Sequence, residues 1–232
     1  MFVSRLLRVA GQSVLVGLIV LFSDEVLRAA EATSVTLDGE VYGAQADEVG
    51  LISPSDGQLV PLASFSPFRT QSHWAWVPGI SWSPDGFLMA YVAHEDDAEG
   101  VSLEESQDFG LWVTSIDGEL QVRLVEGAGM WAAPRWSPVI DGGIAFGQAQ
   151  SRRNSQDSRY ELYLMDRDGS NRRKLVPPEG MLAMIAPDVA WSPRGDALLF
   201  EYEGNLYRLD AETGALDQLT SDGQSWHPRW GR

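Results

Sequence analysis

The sequence predicts an all-β protein built as a β-propeller of four four-stranded blades, closed by the C-terminal strand joining the N-terminal blade. Three observations predict it. A tryptophan motif returns four times, as Ile80-Ser81-Trp82-Ser83-Pro84-Asp85-Gly86, Pro134-Arg135-Trp136-Ser137-Pro138, Val189-Ala190-Trp191-Ser192-Pro193-Arg194-Gly195 and Pro228-Arg229-Trp230-Gly231. Behind each of the first three come two short apolar runs, a Gly-bearing turn and a half-polar run ending at Leu124, Leu175 or Leu219. No stretch of the repeat has helical periodicity. Repetition of such a unit means that one supersecondary element is stacked, and runs of this length between Gly and Asp turns are strands.

Taken in order, the chain opens on a segment with the marks of a targeting sequence. Arg5 and Arg8 give a basic start, Val9 to Phe22 is mostly apolar, and Ala30-Glu31-Ala32 supplies a small-x-small cleavage pattern. The apolar stretch is short of the ~20 residues that a spanning helix needs. Residues 1–32 are therefore expected to be a signal peptide, with an uncleaved N-terminal anchor as the alternative, and residues 33–232 the propeller domain. About 200 residues remain after the leader, enough for one domain with a sizeable core.

No Trp-Ser-Pro precedes Trp82, yet Gly50 to Leu62 aligns with Gly110 to Leu124 as the last two strands of a blade. Glu40 to Ala46 is the expected second strand of that N-terminal blade. It lacks an innermost strand, and Trp226 to Trp230 is the spare one. Pairing of these two pieces would close the ring and remove an aggregation-prone edge. The alternative is a fragment of a larger propeller. The motif tryptophans lie 54, 55 and 39 residues apart, so the first two intervals carry insertions. Trp82, Trp136, Trp191 and Trp230 are expected between blades, in the core.

Composition narrows the partners. A net charge of −16, from 33 acidic and 17 basic residues, disfavours nucleic acid, because a phosphate backbone demands a basic surface. It disfavours an anionic membrane surface equally, so membrane contact is expected only through an uncleaved N-terminal segment. With no cysteine, neither a disulfide framework nor a thiol nucleophile is available, and no Gly-x-Ser-x-Gly elbow occurs.

The pattern Trp-Ser-Pro-Asp-Gly, an apolar strand, then Tyr163-Leu164-Met165-Asp166-Arg167-Asp168-Gly169 resembles the TolB-type β-propeller repeat, a relative of the WD-repeat group found in bacterial envelope proteins. The resemblance covers nearly all of the chain after residue 32. It implies a propeller and an extracytoplasmic place, periplasmic or secreted. Because propellers host binding, scaffolding and catalysis alike, it does not imply an activity.

Chemistry is expected on the face that carries the irregular connections, since long loops on a rigid scaffold are where function concentrates. These are Ala63 to Pro78, the acidic insert His94 to Asp108 and the Arg-bearing insert Gln148 to Arg159. Trp76, Trp131 and Trp226 stand four to six residues before a motif tryptophan, with Met184 or Ile185 in that place in the remaining blade. They form either an aromatic ring at the pore mouth or a plug of the channel. His73, His94 and His227 fall in the same loops, without the close spacing of a metal site, and no cofactor or metal is expected. Arg135 and Arg229 hold equivalent positions and suit either an anionic ligand or neighbouring carboxylates. The two inserts, opposite in charge, are expected to lean together as exposed loops.

The reading that follows is a protein- or ligand-binding or scaffolding module, with an envelope or extracellular protein or a glycan as its partner. Its site residues are Trp76, Trp131, Met184, Trp226, His73, His227, Arg135 and Arg229, and no catalytic residue is assigned. The competing class is a carbohydrate-active or other propeller enzyme, with carboxylates at the pore mouth.

Overall fold

A computed structural model describes Leu18–Leu21, Glu48–Ile52, Leu59–Ser64 and residues 79–94, 108–178, 182–184 and 186–231. These residues form antiparallel strands and no helix, so none is long and apolar enough to cross a membrane. A three-stranded sheet comes first, β1 (Leu18–Leu21), β2 (Glu48–Ile52) and β3 (Leu59–Ser64). Three four-stranded meanders follow. The first is β4 (Ile80–Trp82), β5 (Leu88–His94), β6 (Phe109–Ser115) and β7 (Gln121–Val125). The second is β8 (Arg135–Trp136), β9 (Ile144–Ala149), β10 (Tyr160–Met165) and β11 (Arg173–Val176), and the third is β12 (Val189–Trp191), β13 (Ala197–Tyr202), β14 (Asn205–Asp210) and β15 (Leu216–Gln218). Each meander is one propeller blade, its strands in the order the repeat predicts.

The blades stack face to face, and strand alternation shows how. Along β5, Met89, Tyr91 and Ala93 point towards Val49, Leu62 and Ala63 of the first sheet. Ala90 and Val92 point the other way, into a layer shared with Trp136, Ile144 and Phe146. Ala145 and Leu162 of the second blade then meet Leu198, Phe200 and Leu209 of the third. A strand apolar on both faces is what a buried sheet requires, and side chains alternate across it with period two. Each layer is a separate core between two sheets.

The motif has two working parts. Its serine closes the turn between the first and second strands: Leu88 N–H donates to Ser83 Oγ at 2.9 Å, and Ser83 Oγ donates to Asp85 Oδ1 at 2.5 Å. Gly86 completes the turn at φ +74°, a conformation that disfavours any side chain. Ser192 repeats the arrangement with Asp196 and Ala197. Ser83, Ser137 and Ser192 are all buried, which makes them structural hydroxyls.

Its tryptophan ties one blade to the one before. Trp191 Nε1–H donates to the carbonyl of Arg135 at 3.0 Å, and Trp230 Nε1–H to the carbonyl of Ala190 at 2.9 Å. In both the acceptor is the residue immediately ahead of the preceding motif tryptophan. The second blade varies the theme, Trp136 N–H donating to Ser81 Oγ at 2.9 Å while Arg167 lies over the indole ring. The inter-blade placement expected of these tryptophans is thus what the structure contains, with Trp136 buried and Trp82, Trp191 and Trp230 half-buried.

Two expectations about the ends are corrected. Beside β2 stands Leu18–Leu21, antiparallel with Leu18 opposite Leu51 and Leu21 opposite Glu48, where a strand from Glu40 to Ala46 was expected. Leu-Ile-Val-Leu is a strand former, whereas residues 40–46 lie outside the described ones. Trp226 to Trp230 forms no strand; its side chains lie against Asp188 and Ala190 at the start of β12. One proline and a left-handed residue explain this, since Pro228 has no N–H for a ladder and His227 has φ +52°. No closed ring of sheets occurs among the described residues.

Trp136→Ala is expected to destabilise the protein by about 3–5 kcal/mol, as loss of a buried aromatic does, while Trp226→Ala, on a largely exposed ring, stays within about 0.5 kcal/mol; urea melts distinguish them. Acid should act through the turns. The Ser83 hydroxyl foremost, then the Phe87 N–H and Arg167, hold Asp85 below the usual carboxylate range. A pKa depressed by folding gives stability that is present above about pH 4 and lost as pH falls through the folded value. Asp85→Asn should be less stable at pH 7 and lose less between pH 5 and pH 3, measured by thermal melts across that range.

Candidate functional site

The inner strands β4, β8 and β12 lie side by side, with β8 between the other two. The residues that enter them line one end of the axis, on the face of the blade-to-blade connections. Three positions ahead of each motif tryptophan stand Gly79, Ala133, Asp188 and His227. Ala133 and His227 share a left-handed backbone, φ +42° and +52°, each followed by Pro-Arg-Trp. The local structure of the second blade's entry is therefore repeated by the C-terminal segment.

That repetition gathers charge. Arg135 and Arg229 each donate from Nη1 to the carbonyl of their own preceding proline, at 3.1 and 2.6 Å. Arg229 Nη1 also reaches Asp188 Oδ2 at 3.3 Å, and His227 Nδ1 lies 3.2 Å from the same oxygen. Burial lowers the pKa of Arg135, the Asp188 carboxylate works to restore it, and the Arg229 charge lowers it further. Two guanidiniums, an imidazole and one carboxylate thus share a rim. Trp226, 59% exposed, is the neighbour of His227 in the chain. Such a rim can hold an oxyanion or a hydrogen-bonding ligand and can offer an indole for stacking.

The other expected site residues are distributed differently. Trp131 is half-buried against the second core layer, its Nε1–H donating to Gln156 O at 3.0 Å and its backbone N–H to Tyr160 Oη at 3.0 Å. Burial pushes the Tyr160 phenol up to about 12, so it stays a hydrogen-bonding hydroxyl. Met184 is buried in the third layer, exchanging backbone hydrogen bonds with Tyr160. Trp76 and His73 lie outside the described residues. His94 is buried at the end of β5, edge-on to Phe109, and so differs from the exposed loop histidine expected. No group of three or more potential metal ligands occurs among the described residues. The rim residue that sequence reasoning missed is Asp188, whose one signal was its place three before Trp191.

The ends of the oppositely charged inserts that fall among the described residues meet. Arg152 Nε lies 2.5 Å from Asp108 Oδ2 and its Nη1 2.6 Å from Glu126 Oε1. The Asp108 side chain is only 5% exposed, so the pair fastens the second blade to the end of β6. Burial opposes the Arg152 charge, but its hydrogen bonds to Glu126 and Asp108 raise its pKa. Residues 95–107 lie outside the described ones.

On the opposite face, a cleft of about 350 Å³ opens between the second and third blades, near Leu164, Trp191, Arg194, Asp196 and Asp210. Asp196 is engaged by Ser192, and Asp210 by Thr213 and the Glu212 N–H. These carboxylates serve turns, which leaves the axial rim as the better site.

No family model matches the chain. Relatives include a protein described as a dipeptidyl-aminopeptidase B of Penicillium rubens, 29% identical over 161 residues, a match covering 62% of this chain and 17% of the relative. A second of that description, from Talaromyces marneffei, is 26% identical over 159 residues, again with 17% of its length covered. The chain thus spans about a sixth of the length of these relatives. Among solved structures, one described as TolB from Agrobacterium tumefaciens superposes with a TM-score of 0.51 at 18% identity, covering 76% of this chain and 60% of that one. This likeness, together with the blade meanders, makes the fold a β-propeller of TolB-like type.

Arg152→Ala is expected to destabilise by on the order of 1–3 kcal/mol, because it leaves a buried carboxylate without its partner. Arg153→Ala, exposed and without an ion pair among the described residues, should change stability by less than about 0.5 kcal/mol. Denaturant melts of the two variants check the contrast.

Proposed function

We propose that the chain is an extracytoplasmic β-propeller binding module, whose recognition surface is the axial rim on the face of the blade connections. The observation that carries this is the convergence of Arg135, Asp188, His227 and Arg229 on one rim, with the exposed Trp226 beside them. Side chains that merely held the ring together would be apolar or fully paired. These are polar, partly exposed and grouped at the end of the axis, where the strands of a rigid scaffold present them.

The partner is an envelope or extracellular protein or a glycan. The basic and apolar opening of the sequence supports export, and the pairing of Leu18–Leu21 with β2 favours an N-terminal segment that stays attached. The C-terminal segment takes the place of a fourth blade's innermost strand. Its Trp230 tie and its left-handed His227, which copy the second blade, support that reading. The enzymatic alternative calls for a carboxylate available for proton transfer at the mouth, whereas Asp188 is engaged by Arg229 and His227.

Capture of envelope proteins and an array of glycans by the wild-type protein and by Trp226→Ala/His227→Ala tests the proposal. The double variant should keep its melting temperature and lose at least about tenfold in binding of whatever partner the wild type retains. Undiminished capture would overturn it.

A further inference from the structure

Resting on that reading of the rim, we infer that the rim is a carboxylate receptor, with Arg135 as its principal donor and Asp188 as an intramolecular competitor for the same site.

The starting point is an imbalance. Among the described residues, Arg229 pairs with Asp188 and Arg135 is near enough to feel both charges, two guanidiniums to one carboxylate. This rim is therefore formally +1 with His227 neutral, in a chain of net charge −16. A concentrated positive site in an acidic protein is not explained by solubility. Arg135 is half-buried, yet the one hydrogen bond of its guanidinium among the described residues is the contact with Pro134 O. A guanidinium carries five N–H donors in a rigid fork, so most of this fork is uncommitted. No ion pair joins Arg135 to Asp188 within 4 Å, although the carboxylate is near enough to act on its pKa. Asp188 lies closer to Arg229 and His227, leaving Arg135 with charge to offer.

The chemistry of the ligand follows from what the rim already accommodates. Asp188 is itself a carboxylate held by Arg229 and His227, and carboxylates match the guanidinium fork in two parallel hydrogen bonds. A singly charged group balances the +1 of the rim. A dianionic phosphate would carry the site past neutrality into the repulsion of the surrounding acids. The indole of Trp226 gives an organic acid an apolar surface beside its charged end. Because Asp188 competes for the same cations, ligand binding is opposed by a charge belonging to the protein itself. That opposition separates a receptor from an ion-paired rim whose role is stability.

Isothermal titration at low salt, where exposed charge effects are largest, uses the singly charged butyrate, its uncharged twin butyramide and inorganic phosphate. Butyrate should bind, butyramide should not, and phosphate should bind more weakly than butyrate. Arg135→Gln should weaken butyrate at least tenfold, and Asp188→Asn should tighten it several-fold. Arg194→Gln, on the opposite face, serves as a control and should change nothing. Unchanged binding in Arg135→Gln, weaker binding in Asp188→Asn, equal binding of butyramide or stronger binding of phosphate would each overturn the inference. Should Arg135→Gln fail to fold, Arg135→Lys, which keeps the charge and loses the fork, makes the same measurement. A tripeptide with a free C-terminus, run against its amide, tells a chain end from a free acid. The outcome is independent of the partner-capture result, since undiminished capture in Trp226→Ala/His227→Ala together with butyrate binding of the single variants as described would reject the partner surface and keep the carboxylate site.

Discussion

The height of the later inner strands depends on one directional contact, the indole N–H of a motif tryptophan reaching a carbonyl on the inner strand before it. Trp136 N–H and Ser81 Oγ do the same at the earlier junction. Apolar layers between blades supply most of the stabilisation, because burial of surface is the dominant favourable term in folding. Burial, however, is non-directional. The Trp191–Arg135 and Trp230–Ala190 hydrogen bonds fix the height of one inner strand against the next, and so decide which residues end up on the rim together. Without that register, Asp188 would not stand level with His227 and Arg229.

A propeller keeps scaffold and function apart by position within the repeat. The motif tryptophan is constant, a serine follows it in three of the four repeats, and both are buried or half-buried. The residues one and three places ahead of the tryptophan vary freely, Ser81, Arg135, Ala190 and Arg229 in one case, Gly79, Ala133, Asp188 and His227 in the other. Variation there leaves the blade intact because none of these residues belongs to the apolar layers between blades. The rim could therefore acquire charge without disturbing the packing beneath it.

Much of this architecture was legible in the sequence, and the exceptions have physical reasons. The meanders followed from turn residues and apolar runs, since period-two alternation in short segments has few other meanings. The strand beside β2 was misplaced because Leu18–Leu21 belongs to an apolar run that also fits a targeting segment, and composition alone does not tell the two apart. Trp131 and Met184 were grouped with Trp226 by spacing, yet spacing does not say which way a side chain points in an irregular connection. Arg152 looked like a loop charge because burial of Asp108 arises from the packing of β6 against the next blade. Asp188, one acid among 33, carried no motif; only the alignment of blade entries brings it into view.

The indole ties also have a direction. Each is donated by a later blade to an acceptor in an earlier one, so its carbonyl partner has left the ribosome before the tryptophan that will bind it. Assembly can then proceed as a ratchet, each new blade clicking onto one already formed, with no contact of this kind waiting on residues still to be made. A chain of such repeats can be lengthened or shortened at its C-terminal side by whole blades. The last tie then passes to a new tryptophan, and the geometry of every earlier junction is preserved.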